Sequence, residues 1–159
     1  MADNLKAILC IPKSLWCWDF DLYMDGHSAS IEFEPHPRSE QGAIVFDNEL
    51  YSIQKHGPFS GRWSMESSSE VVATAHKPSM FSGSFDLATC CGFASMRAKS
   101  VFGRTMIASG LGLDVVIAPV NCWTTRTLIT GQISDFRIAC FSFWLTVLLW
   151  RRLAQSDGG

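Results

Sequence analysis

The sequence contains no CxxC pair and no Cys/His run of zinc-site spacing, although six cysteines are present: Cys10, Cys17, Cys90, Cys91, Cys122 and Cys140. That scatter excludes the usual zinc modules and sets out no disulfide framework, so reduced, half-buried thiols are the expectation. No GxSxG elbow, HExxH pair, Walker loop or complete GxGxxG occurs, and Gly110–Leu111–Gly112, a fragment of the last, reads as a turn. The usual hydrolase, metalloprotease and nucleotide-binding signatures are therefore missing, and neither an enzyme nor a cofactor is expected. Charged residues are sparse at 18%, with a formal net charge of −2, which argues against general affinity for nucleic acid. Near the start, Pro12 and Lys13 break the apolar run after Ile11, so no export signal is read.

What is present is apolar and strand-like. Apolar residues make up 47% of 159 residues, enough for one domain with a real core. In 17–24, Trp18, Phe20, Leu22 and Met24 alternate with Cys17, Asp19, Asp21 and Tyr23, the period of a half-buried strand. Asp25–Gly26 then supplies a tight hairpin turn, and a partner strand runs to Glu34 before Pro35 and Pro37. The pattern recurs over 43–46, 49–53, 59–66, 71–76, 84–89, 93–97, 104–109, 113–118 and 123–130. Short strands at regular spacing, divided by turn residues, indicate a sandwich or barrel.

The last segment differs. From Asp135 the chain reads DFRIACFSFWLTVLLWRRL, with Ser134 as N-cap and Arg151 and Arg152 at the far end. Ile138–Trp150 is apolar almost all round, which suits the inside of a protein or of a membrane. Its thirteen residues span about 20 Å, whereas a membrane span needs about 20 apolar residues. Length therefore favours a helix threaded through a barrel, with a tail anchor as the alternative.

Two stretches, GRWSMESSSEVVATAHKPSMFSGSFDL and FRIACFSFWLTVLLWRR, resemble the paired strands and terminal core helix of the tubby-like superfamily, which includes phospholipid scramblases and LURP-one-related proteins. The resemblance implies a mainly β protein, a closed antiparallel barrel of about twelve strands around a hydrophobic C-terminal helix. The organisation expected is a lead segment over 1–16, a barrel domain over 17–153 with its helix at about 135–153, and a flexible tail over 154–159.

Charge points to a surface function. Residues 1–70 carry eleven acids and five bases, and residues 71–159 carry four acids and eight bases. Such a split can orient a domain at an anionic surface, although neighbouring halves also neutralise each other. Arg62, Lys77, Arg97, Lys99 and Arg104, with Lys55, His56 and His76 nearby, are the candidate headgroup-binding residues. Asp19, Asp21, Glu32 and Glu34 read as a solvated strand face rather than a calcium site. Trp63 and Trp144 read as core, and Trp16, Trp18 and Trp150 as candidates for a membrane interface. The expectation is a non-enzymatic, cytoplasmic domain, peripheral to a membrane, that binds an anionic phospholipid or a protein partner. A small-ligand binder or enzyme at the barrel mouth is the remaining alternative.

Overall fold

The computed structural model describes residues 5–79, 82–100 and 103–157. Twelve strands among them form a closed antiparallel barrel, each pairing with its neighbours in sequence: β1 (Leu5–Pro12), β2 (Phe20–Met24), β3 (His27–Phe33), β4 (Gly42–Phe46), β5 (Glu49–Lys55), β6 (Arg62–Glu66), β7 (Val71–His76), β8 (Ser84–Thr89), β9 (Gly92–Ala98), β10 (Met106–Gly110), β11 (Leu113–Pro119) and β12 (Thr127–Ile133). One helix follows, α1 (Phe136–Asp157). The architecture is mainly β, as the strand periodicity and the resemblance led one to expect.

Alternation is what closes the core. In β11, Leu113, Val115 and Ile117 are buried while Asp114 and Val116 face out, and in β2 Phe20 and Leu22 point inward. An amphipathic sheet buries its apolar face by curling on itself, which also removes exposed edges. The lumen that results is filled by α1, whose residues 138–148 are buried on every side. Aromatic rings lock helix to wall: Phe143 meets Phe20 edge-on at 5.0 Å, Trp144 stacks on Phe33 at 4.5 Å, and Phe136 packs on Phe46 at 4.8 Å. Ser142 and Thr146 satisfy their hydroxyls on the carbonyls of Ile138 and Ser142, one turn back, so no polar group is orphaned in the lumen by either.

Three sequence expectations change. The segment 1–16 contains β1, which pairs with β12 from Leu5–Gln132 to Cys10–Thr127 and with β2 from Leu9–Tyr23 to Pro12–Phe20. It is the strand that closes the barrel, rather than a lead outside it. The helix continues to Asp157, so 154–157 are helical. Phe59 and Trp123, placed in strands by their apolar character, lie in connections instead, and Trp150 is buried at 6% exposure.

The connections sort into two kinds by barrel end. Even-numbered strands run toward the start of α1: β2, β4, β8 and β10 end in two-residue turns, β6 in the short connection 67–70, and β12 leads into the helix. Asp47 (φ 50°) and Asn48 (φ 61°) take the left-handed conformation such a two-residue hairpin requires. The opposite end, where α1 finishes, carries the longer connections 13–19, 34–41, 56–61, 77–83, 99–105 and 120–126.

Candidate functional site

This hairpin topology sorts charge by barrel end rather than by chain half. Of the thirteen Lys and Arg residues, eleven lie in or beside the long connections or in the last turns of α1, and Lys6 and Arg137 are the two exceptions. The tight-turn end carries Asp25, Asp47, Glu49, Glu66, Glu70, Asp114 and Asp135 against two bases, whereas at the other end Asp19, Glu34, Glu40 and Asp157 are outnumbered by bases. Arg137 at that end is held by the Asp135 carboxylate at 2.9 Å, which, with the Tyr51 hydroxyl, raises its affinity for the proton. The molecule is therefore polarised along the barrel axis. Each chain half contributes strands to both ends, so the difference between ends is separate from the difference between halves.

The five candidate headgroup residues all fall at the long-loop end, but they divide in their freedom. Arg62, Arg97 and Lys99 are exposed. Arg104 is half-buried: its guanidinium donates to the carbonyls of Thr124 (3.0 Å) and Asn121 (3.1 Å) and lies over the Trp150 ring. Lys77 is buried at 8% exposure, with its ammonium on the carbonyls of Ser79 and Ser82. Burial, and then the nearby Arg152 charge, pushes the Lys77 ammonium down. Both cations are engaged by backbone carbonyls, unlike the exposed Arg62, Arg97 and Lys99. His56 is likewise engaged, its ring nitrogen 2.6 Å from the Ser64 hydroxyl.

A cluster below the loops fixes the helix end. Glu40 accepts hydrogen bonds from Lys55 and from the Arg152 guanidinium, while its carbonyl accepts from the Trp63 indole at 3.0 Å. Burial alone pushes the Glu40 carboxyl up, but the hydrogen bonds and charges of Arg152 and Lys55 outweigh it and hold it below the ordinary value. Arg151 is buried, donates to the Ser39 carbonyl at 2.9 Å and sits 4.4 Å above the Phe33 ring. These contacts tie the 34–41 connection to α1 and give the loop end a rigid floor.

Above that floor stand apolar side chains that no core contact explains. Among the described residues, the four large apolar side chains more than nine-tenths exposed are Leu15 (92%), Trp16 (94%), Phe59 (97%) and Trp123 (93%), and all four sit in these connections. Exposing one such side chain is ordinary, but four at one end beside the basic residues is not. Trp16 was singled out from the sequence; Leu15, Phe59 and Trp123 were not. The available signal for the last two was an aromatic within two positions of a turn residue, Pro58–Phe59 and Asn121–Cys122–Trp123, at the very start of the runs 59–66 and 123–130. Trp18 packs against the core instead.

The carboxylates of the first hairpin do not gather around a vacant centre. Lys13 reaches Glu32 at 3.3 Å and Asp21 at 3.8 Å, Asp19 accepts from the Phe33 amide at 2.9 Å, and Glu34 accepts from Ser39 and Gln41. Among the described residues no group of three or more His, Cys, Asp or Glu side chains could hold a metal ion, and no helix is long and apolar enough to cross a membrane. Two depressions, of about 370 and 180 Å³, lie on the outer wall at β2–β4 and at β7–β8, away from the barrel mouth. Comparison with protein-family models, with curated proteins and with solved structures returns no match, so the loop end is read from its own chemistry.

Proposed function

We propose that this protein is a non-enzymatic peripheral membrane-binding domain that sets its long-loop end on an anionic lipid surface. The observation that carries the reading is the coincidence, at one barrel end, of Leu15, Trp16, Phe59 and Trp123 with the free bases Arg62, Arg97 and Lys99. Aromatic rings favour the headgroup level, and basic side chains are drawn to the negative cytoplasmic leaflet.

Magnitudes assign the parts. Each Lys or Arg near an anionic surface contributes about 1 kcal/mol, so three give roughly 3 kcal/mol, short of the ~4 kcal/mol of a millimolar complex. Moving a large apolar side chain out of water adds roughly 1.5–3 kcal/mol. Charge orients the domain and the apolar tips hold it. Rings seated at the headgroup level leave water only in part and recover only part of that transfer, so both sets are needed.

Co-sedimentation with phosphatidylcholine vesicles, with and without phosphatidylserine, tests this. Binding is expected only with phosphatidylserine and is expected to weaken with salt. The triple variants Arg62→Gln/Arg97→Gln/Lys99→Gln and Trp16→Ser/Phe59→Ser/Trp123→Ser are each expected to lose it at an unchanged melting temperature. Vesicle binding that both variants retain contradicts the reading.

A further inference from the structure

Cys90 and Cys91 form the turn between β8 and β9 at the acidic end, far from the surface just described. Both side chains are exposed, and their sulfurs lie 3.6 Å apart. The turn is held by its neighbours: the Cys91 amide donates to the Thr89 hydroxyl at 3.1 Å, and Thr89 pairs with Gly92 across the hairpin.

Backbone geometry, rather than the contact distance of two reduced thiols, disfavours a bond between the two sulfurs. A disulfide prefers Cα atoms ~4.4–6.8 Å apart. Adjacent residues hold their Cα atoms about 3.8 Å apart, so the bond forms only with strain. A thiophilic centre that binds two sulfurs side by side at about 2.3 Å spans roughly 3.5–3.8 Å between them. The two thiols, in contact at 3.6 Å, are already placed within that span.

The wall beside the pair is also shaped. Registered pairing of β7 with β8 runs from Thr74–Ala88 to His76–Asp86. Toward the turn the two strands leave a groove of about 180 Å³ between Val71–Thr74 and Ala88–Cys90. Cys90 is therefore both a sulfur donor and a lining residue of an open groove that Val71 and Val72 also line.

We propose that Cys90 and Cys91 form a dithiol chelate site for a soft, thiophilic metalloid or metal centre with two adjacent open positions, whose apolar substituent rests in the β7–β8 groove. With a trivalent arsenical such as phenylarsine oxide, two As–S bonds form and the As–O bond breaks. The oxygen leaves as water with the two thiol protons, and arsenic keeps its oxidation state, so no oxidant is needed.

Full-length reduced protein is titrated with phenylarsine oxide, and the adduct is read by intact mass and by alkylation mapping. One adduct per chain at stoichiometric probe is expected, with Cys90 and Cys91 protected together. Cys122→Ser is expected to keep it, and Cys90→Ser and Cys91→Ser each to lose it while retaining the wild-type circular dichroism spectrum. No adduct, an adduct that maps to another cysteine, or equal uptake by wild type and Cys90→Ser overturns the proposal. Because the site lies at the opposite barrel end, its failure leaves vesicle binding untouched, and the reverse holds.

Discussion

The Trp144 indole in the middle of α1 donates a 3.1 Å hydrogen bond to the backbone carbonyl of Glu32 in β3, 112 positions away in the chain. Gly42, across the ladder on β4, makes the contact possible. A Cβ there would lie 2.0 Å from the same carbonyl oxygen and 3.0 Å from the indole nitrogen. Helix, third strand and fourth strand thus meet at one atom.

Trp144→Phe keeps most of the ring volume but leaves that carbonyl without the indole donor, and is expected to cost about 1–3 kcal/mol. Gly42→Ala forces the strands apart and is expected to cost at least as much. Chemical denaturation of both variants measures this; wild-type midpoints would mean the contact does not support the barrel.

Glu40 predicts an acid sensitivity. Its folded-state pKa lies below the ordinary value because Arg152 and Lys55 overcome the effect of burial. A depressed carboxyl stabilises the fold above the unfolded-state pKa, about 4.3, and that stability is lost as pH falls through the lower folded value. Melting temperature is expected to drop more steeply below pH ~4.3 in wild type than in Glu40→Gln, which is less stable near neutrality. Parallel profiles would remove Glu40 from this role.

The first strand carries a third prediction. Removing residues 5–12 deletes β1 and exposes the facing edges of β2 and β12 along with the apolar lumen. The truncated chain is expected to aggregate on expression. A soluble, monomeric, cooperatively unfolding product would show that barrel closure does not depend on β1.

That strand also shows where sequence reading stops. Residues 71–76 and 84–89 alternate cleanly, and the structure has strands with those bounds. In LKAILCIP, by contrast, Ile8 and Cys10 face the core while Leu9 and Ile11 are half-buried on the outer wall, so no apolar–polar contrast marks the strand. The helix was legible because eleven apolar residues among thirteen, 138–150, call for an apolar surrounding on every side. The site was legible in part. Charge made Arg62, Arg97 and Lys99 visible singly, but only strand pairing shows that they share an end. Lys77 looked like a free cation, and nothing in its neighbours reveals that the Ser79 and Ser82 carbonyls take its ammonium. Phe59 and Trp123 read as the first residues of strands 59–66 and 123–130, whereas the strands begin at Arg62 and Thr127 and leave both rings in connections.

Trp16 and Trp123 point outward, whereas Trp63, Trp144 and Trp150 are buried, so tryptophan fluorescence can report directly on whether the loop tips enter lipid. The most direct measurement is quenching by phosphatidylserine-containing vesicles whose acyl chains are brominated. Wild type is expected to be quenched on binding, and Trp16→Phe/Trp123→Phe to show much less quenching at the same bound fraction. Equal quenching of the two proteins, or binding without quenching of either, would contradict docking through the loop end.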